Sequence, residues 1–377
     1  MPLAFGVCTE LRNETQHNIL SPDDWFRMHK DEIKQIIHEF PDRAIRWLLE
    51  TPDNVKGLLL TAVADLAKHI DYTQLQRLDR TFISDNFRKR EADLVFTAPF
   101  LDEQKTREVI IYILIENQST VDPTMPFRIL SYMLRIWESQ REKFEFENVP
   151  LTQWRFHPIL PVVFYTGEQK WDEPLDIKRL FDLPKSLEEF IPQHKTILFN
   201  LKATSPERLV EYNHPFEWIL RLMQKENADT DAVRDSIKIA IDHLRLMPPE
   251  ERANWSKLIY FMMAFIYERR EESEHDEFLN IIKSSIDDKS RRKEVEKMGK
   301  TMAQVLEARG EAKGEAKGIA LGMISAKQND IIKLLRLRFE YISEDIVKRI
   351  KSINQIDRLD AIFERAVTAK TINDIEI

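Results

Sequence analysis

The stretch EVIIYILIENQ, residues 108–118, decides how this chain is read. Seven apolar residues (109–115) run without a break and give way abruptly to Glu116, Asn117 and Gln118. A run of that length is far short of the ~20 residues that span a bilayer. It suits a strand buried on both faces inside a sheet. Strand alternation then puts Glu116 and Gln118, two residues apart, on one face at the end of that strand.

Working outward, ADLVFTAPF (92–100) and ILPVVFYTG (159–167) read as further strands, the latter ending at the turn residue Gly167. Between the second and third strands, MPFRILSYMLRIWESQREKF (125–144) has helical spacing, with Pro126 in its first turn. Helices are also expected near 23–39 and 53–69. Strand, strand, helix, strand describes an α/β or α+β core, a central mixed sheet flanked by helices.

Composition sets the wider frame. The 377 residues include only 8 glycines, about a third of the usual share of ~7%. Such a chain cannot be built mainly from tight turns, hairpins or glycine-cradled phosphate loops, so it should be rich in helix. The single cysteine, Cys8, excludes an intrachain disulfide framework and a thiolate zinc site. No His-Glu-x-x-His or Gly-x-Ser-x-Gly element points to a zinc or serine hydrolase. The N-terminus has neither a basic start nor a long apolar run, so a cytoplasmic protein without a membrane segment is expected. The net charge of −8 argues against nonspecific nucleic-acid binding by the whole surface, while leaving room for a local basic patch.

Five segments follow: a leader at 1–20, the α/β core at 21–200, a helical region at 201–298, a glycine-repeat helical linker at 299–322 and a small helical domain at 323–377. Gly310, Gly314, Gly318 and Gly322 recur every fourth residue in GEAKGEAKGIALG. That period stacks them along one side of a helix. It fits either a self-association seam or a weak helical linker, since each glycine costs about 1 kcal/mol relative to alanine. No Gly-Lys-Ser/Thr ending makes it a P-loop.

The residues that carry chemistry lie at the strand ends. Asp93 begins the apolar run of its strand, and a neighbouring strand pair can bring it to Glu116. Two facing carboxylates repel unless a cation of the Mg²⁺ class holds them, an arrangement suited to phosphodiester hydrolysis. Ion pairing with Arg88, Lys89 or Arg90 is the purely structural alternative. On the helix that follows, Arg128, Tyr132 and Arg135 lie at i, i+4 and i+7 and form a polar stripe. The stripe suits contact with DNA phosphates or support of the carboxylates, or else an exposed face with ordinary ion pairs.

Taken in order, KREADLVF (89–96), YILIENQS (112–119), DPTMPFRILSYMLRIWE (122–138) and LPVVFYTGEQKW (160–171) resemble the Rpn-type recombination-promoting nucleases, the putative-transposase family of the PD-(D/E)XK nuclease superfamily. DDWFR (23–27) is a looser match through Asp23, Phe26 and Arg27, the last standing where the family pattern has lysine. The resemblance implies a PD-(D/E)XK-type core with Asp93 and Glu116 as ligands of Mg²⁺ or another divalent cation. Gln118 takes the position where many members of the superfamily carry lysine. A neutral amide can orient water but brings no charge, so that charge must come from metal or from residues such as Arg27 and Arg128. The implied activity is DNA endonuclease action in recombination, genome exchange or defence, with DNA as partner. A catalytically weak DNA-binding module, and a helical assembly protein forming a homo-oligomer through the C-terminal region, are the alternatives.

Overall fold

The computed structural model describes residues 40–78, 93–101, 108–339 and 341–375. The leader at 1–20, the helix expected at 23–39, Asp23, Arg27, Arg88, Lys89 and Arg90 lie outside the described residues. Five strands form one mixed sheet in the order β1 (Gln76–Arg77), β2 (Asp93–Leu101), β3 (Glu108–Gln118), β4 (Ile159–Tyr165) and β5 (Ile197–Asn200). The pairs β1–β2 and β2–β3 are antiparallel, whereas β3–β4 and β4–β5 are parallel. The parallel step from β3 to β4 requires a crossover. It is supplied by a 22-residue helix, Met125–Phe146.

Ahead of the sheet come α1 (Asp42–Leu48) and α2 (Pro52–Ala67); the crossover helix is α3. Its start is written into DPTMP. The Asp122 carboxylate accepts hydrogen bonds from the Thr124 amide (2.8 Å) and hydroxyl (2.7 Å), and Pro126 sits in the first turn, where its missing N–H costs nothing. The helix stops at Asn148, which takes φ 53°, while the Val149 amide returns to the Phe144 carbonyl at 2.8 Å.

Each face of the sheet is covered. On one face, Val95, Val163 and Tyr165 pack with Met125, Ile129, Tyr132, Met133 and Ile136 of α3 and with Trp171. Residues of opposite parity (Leu94, Phe96, Ile113, Ile115, Val162, Phe164 and Phe199) are buried as well, with α1 against β3 and α2 against β5. Phe164 and Phe199 stack at 5.3 Å across β4 and β5. Beyond a single turn of helix at Pro206–Leu209, four longer helices follow in the same unit, which runs to Gly299: α4 (Pro215–Gln224), α5 (Thr230–Leu244), α6 (Arg252–Arg269) and α7 (Glu272–Ser284). Helix α6 is buried around nearly its whole circumference, which is why its sequence shows no polar face. Asn54 of α2 and Asn254 of α6 exchange side-chain hydrogen bonds at 2.9 and 3.0 Å and so satisfy each other inside that apolar packing.

A 50-residue helix, α8 (Lys289–Arg338), carries Gly299, Gly310, Gly314, Gly318 and Gly322. A Cβ added at Gly310, Gly314, Gly318 or Gly322 would meet nothing within 4 Å. The second unit, Lys300–Ile377, is completed by α9 (Glu344–Lys351) and α10 (Ile356–Thr368). Ile331, Ile332 and Leu335 pack there on Ile350, Ile353, Leu359 and Ile362. The Gln328 amide donates to the carbonyls of Lys351 (3.1 Å) and Ile353 (2.9 Å), which the end of α9 would otherwise leave unpaired. Among the described residues, no helix is long and apolar enough to cross a membrane.

Candidate active site

The antiparallel register of β2 and β3 pairs Asp93 directly with Glu116, Leu94 with Ile115 and Val95 with Leu114. The two candidate ligands are therefore backbone partners at one end of the strand pair. On the parallel side, Glu116 is level with Val163 and Gln118 with Tyr165.

Glu116 is fully buried. Its Oε1 accepts a hydrogen bond from Gln118 Nε2 at 2.7 Å and a charged one from Arg128 Nη2. Its Oε2 is buried and has no partner among the described residues. A carboxylate with one oxygen tied down and one open is half coordinated.

The cation beside it comes from α3. Arg128 is 13% exposed and forks, one nitrogen reaching Glu116 and the other Asp122 Oδ2 at 2.8 Å. Burial works against the guanidinium charge, yet hydrogen bonding to Asp122 and Tyr132 outweighs it and holds the Arg128 pKa above its ordinary value. For Asp122, burial pushes the pKa up, and hydrogen bonds from Thr124 and Arg128 override it to leave the carboxyl below its usual range. Tyr132 is 5% exposed and lies one turn beyond Arg128 on the sheet side of α3. Arg135 is half-buried further along the helix. An exposed helix face with ordinary ion pairs therefore does not describe this stripe, because Arg128 and Tyr132 point into the protein.

On the other side of β3, Asn117 and Ser119 donate to the Asp42 carboxylate at the start of α1, at 3.3 and 3.4 Å. Burial raises the Asp42 pKa, and the hydrogen bond from Ser119 is the largest opposing influence. The end of β3 is also gripped by the turn after β4. The Thr166 amide donates to the Gln118 carbonyl at 2.9 Å, and the Tyr165 hydroxyl donates to the Gln169 carbonyl at 2.7 Å. Gly167 lies so close to the Ser119 carbonyl that no Cβ fits there.

Sequence reasoning missed Asp42, Asn117, Ser119 and Asp122. Only Asp122 left a signal, the Asp-x-Thr pattern ahead of α3. Among the described residues, no group of three or more His, Cys, Asp or Glu side chains is placed to hold a metal.

Residues 40–252, more than half of the chain, match the family described as "Putative transposase, YhgA-like". The chain belongs to this family. Two similar proteins carry recombination names. The inactive recombination-promoting nuclease-like protein RpnE of Escherichia coli K12 is 23% identical over 195 residues, covering 51% of this chain and 60% of that protein. The recombination-promoting nuclease RpnD of Escherichia coli O157:H7 is 25% identical over 131 residues, covering 34% of this chain and 45% of that protein. The match thus spans less than two thirds of either relative. No solved structure matches the chain. The family match begins just before α1 and ends at the start of α6, so it takes in β3, α3 and every residue around Glu116 described above.

Proposed function

We propose that this chain is a divalent-metal-dependent DNA endonuclease with a PD-(D/E)XK-type core, acting in recombination, genome exchange or defence. The observation that carries the reading is the register that sets Asp93 against Glu116, with Gln118 and Arg128 both turned onto Glu116. The donor set fits Mg²⁺: its atoms are hard oxygens, and Glu116 Oε2 is a buried acceptor with nothing in the described structure to satisfy it. Asp93 and Glu116 would hold the ion. When bound it would polarise a phosphate oxygen and make an attacking water more acidic.

The remaining roles fall to the chain itself. Gln118 Nε2 donates to Glu116, and its amide oxygen is of a type that accepts a hydrogen bond from a water without deprotonating it. Arg128, with donors in a planar fork, is suited to a phosphate oxygen. Tyr132 and Asp122 keep that fork aimed. Arg135, and Asp23 and Arg27 ahead of the described residues, are assigned to phosphate contact or support.

The test is nicking and linearisation of supercoiled plasmid with Mg²⁺ against EDTA. Asp93→Ala and Glu116→Ala should each abolish Mg²⁺-dependent cleavage. Cleavage at the wild-type rate by both variants would remove the assignment.

A catalytically weak DNA-binding module is favoured by one observation, that Gln118 brings no charge and Arg128, the cation on Glu116 among the described residues, is already engaged by two carboxylates. DNA affinity that falls steeply with salt, without cutting under any divalent metal, would select it. Self-association through the C-terminal unit is a separate proposal, motivated by the exposure of Leu337 (75%) and Tyr341 (78%). Deleting the residues from about 299 onward should lower the molar mass measured by light scattering if the tail assembles.

A further inference from the structure

Arg128 stands between two carboxylates of different character. Glu116 is fully buried, engages the guanidinium through Oε1 and leaves Oε2 unpartnered among the described residues. Asp122 is partly exposed, accepts three hydrogen bonds (two from Thr124 and one from Arg128) and is built into the turn that leads into α3. Asp122 would keep two of those bonds whatever Arg128 did, whereas Glu116 without Arg128 would retain, among the described residues, only the amide of Gln118. A buried carboxylate in that state needs another cation.

The dependence is lopsided, and it has a consequence for any divalent ion at this place. A divalent ion on Glu116 Oε2 would stand beside the guanidinium held on Oε1 of the same carboxylate, and the two cations repel. Arg128 already has a second anchor in Asp122 and a neighbour in Tyr132, so it can leave Glu116 without being stranded. The Nε of Arg128 is buried without a partner among the described residues, so the present arrangement does not satisfy the whole guanidinium.

We infer that Arg128 is a movable counter-ion, placed on Glu116 when the cation site is empty and withdrawn toward Asp122 and Tyr132 when it is filled. Asp122 is thereby a positioning residue, whose task is to receive Arg128. The inference rests on the proposed metal role of Glu116 and adds to it a residue and a linkage. Withdrawn onto Asp122, the guanidinium keeps donors free for a phosphate oxygen, so one side chain would guard the empty site and serve the filled one.

The linkage predicts metal affinities of opposite sign in two variants of the same ion pair. The probe is Mn²⁺, titrated into the full-length protein without DNA and followed by the electron paramagnetic resonance of the free ion. Arg128→Gln removes the competitor and should tighten Mn²⁺ binding by about tenfold, the low end of what a neighbouring arginine does to a carboxylate's proton affinity. Asp122→Asn keeps an oxygen for the Thr124 amide but loses the charge that receives Arg128, and should weaken Mn²⁺ binding several-fold. A merely structural role for the pair would move both variants the same way, or neither, and either result overturns the inference. Should Arg128→Gln fail to fold, Arg128→Lys replaces it. An ammonium cannot span both carboxylates as the fork does, so binding should again tighten, and unchanged or weaker binding refutes the idea. Glu116→Gln separates the two levels of the argument. If that variant binds Mn²⁺ as the wild type does, Glu116 is not a ligand and the metal role proposed above fails with this inference. If it loses Mn²⁺ while the Arg128 and Asp122 variants show no opposition, the inference alone fails.

Discussion

Gly167→Ala and Gly299→Ala make the same chemical change, one methyl group, and should move stability in opposite directions. At Gly167 the new Cβ would fall on the Ser119 carbonyl oxygen and lie 2.5 Å from the Tyr165 hydroxyl oxygen. Neither neighbour gives way cheaply. The carbonyl is backbone at the end of β3, and the hydroxyl is committed to Gln169 at 2.7 Å. Overpacking of this kind costs about 1–3 kcal/mol. Loss of one adjoining hydrogen bond, that of Thr166 to Gln118 or of Tyr165 to Gln169, adds about 1 kcal/mol. The expected destabilisation is therefore about 2–4 kcal/mol. At Gly299, inside α8, the nearest outside atom is Met263 Cε at 3.4 Å, an ordinary contact. Alanine there should gain about 0.8–1 kcal/mol of helix propensity. All seven tryptophans precede residue 300, so their fluorescence during urea unfolding reads the first unit alone. With a slope near 3 kcal/mol per molar urea, Gly167→Ala should lower the midpoint by about 1 M and Gly299→Ala raise it by about 0.3 M. A Gly167→Ala midpoint within about 0.2 M of wild type would refute the claim that this glycine is held by close approach.

Three more outcomes are expected. Asn254→Ala removes the donor to the buried Asn54 Oδ1, while Asn54 Nδ2 keeps the Leu48 carbonyl, and should cost about 1–3 kcal/mol; removal of both partners in Asn54→Ala/Asn254→Ala should cost less than the two single changes summed, as a double-mutant cycle by urea unfolding would show. Burial lowers the pKa of His157 and His194, with Lys143 adding to the effect at His157 and Asp176 opposing it at His194. The unfolded chain takes up protons near pH 6.5 that the folded chain refuses until lower pH, so this stability is present above 6.5 and drains away as pH falls through the folded values. The drop in urea midpoint from pH 7.5 to 5.5 should be smaller in His194→Gln than in wild type. That comparison cancels Glu217, whose burial-raised pKa acts in the opposite sense, and an equal drop in both proteins would be the contrary result. Replacing Gly310, Gly314, Gly318 and Gly322 together by alanine should stabilise α8 by about 3–4 kcal/mol, read as slower amide exchange over that stretch, because no added methyl meets a neighbour within 4 Å.

Much of the secondary structure was legible because its signals are local. The expected helix at 53–69 is Pro52–Ala67 and that at 125–144 is Met125–Phe146, each opened by a proline and an apolar repeat. The strands expected at 92–100 and 159–167 are Asp93–Leu101 and Ile159–Tyr165. Strands β1 and β5 escaped notice, since two and four residues are too short to display alternation. Helix α1 was missed for a related reason, being only seven residues long.

By itself, the amino-acid sequence determined which faces are apolar and where polarity returns. Alternation alone puts Glu116 and Gln118 on one face at the end of a buried strand, and the scarcity of glycine alone announces a helical protein with its glycines gathered in one segment. Which residue stands opposite Glu116 is a different matter. A slip of one residue between β2 and β3 would put Leu94 there, with every side chain on the other face. That register depends on the covering helices as much as on the strands. The cation on Glu116 was likewise decided in three dimensions. Arg128 is 12 residues away along the chain and reaches the carboxylate because the β3–α3–β4 crossover lays α3 across the sheet. Short-range periodicity fixes the direction in which a side chain leaves the backbone, whereas the partner it meets depends on how separate elements pack, and that is settled by burial summed over the whole unit.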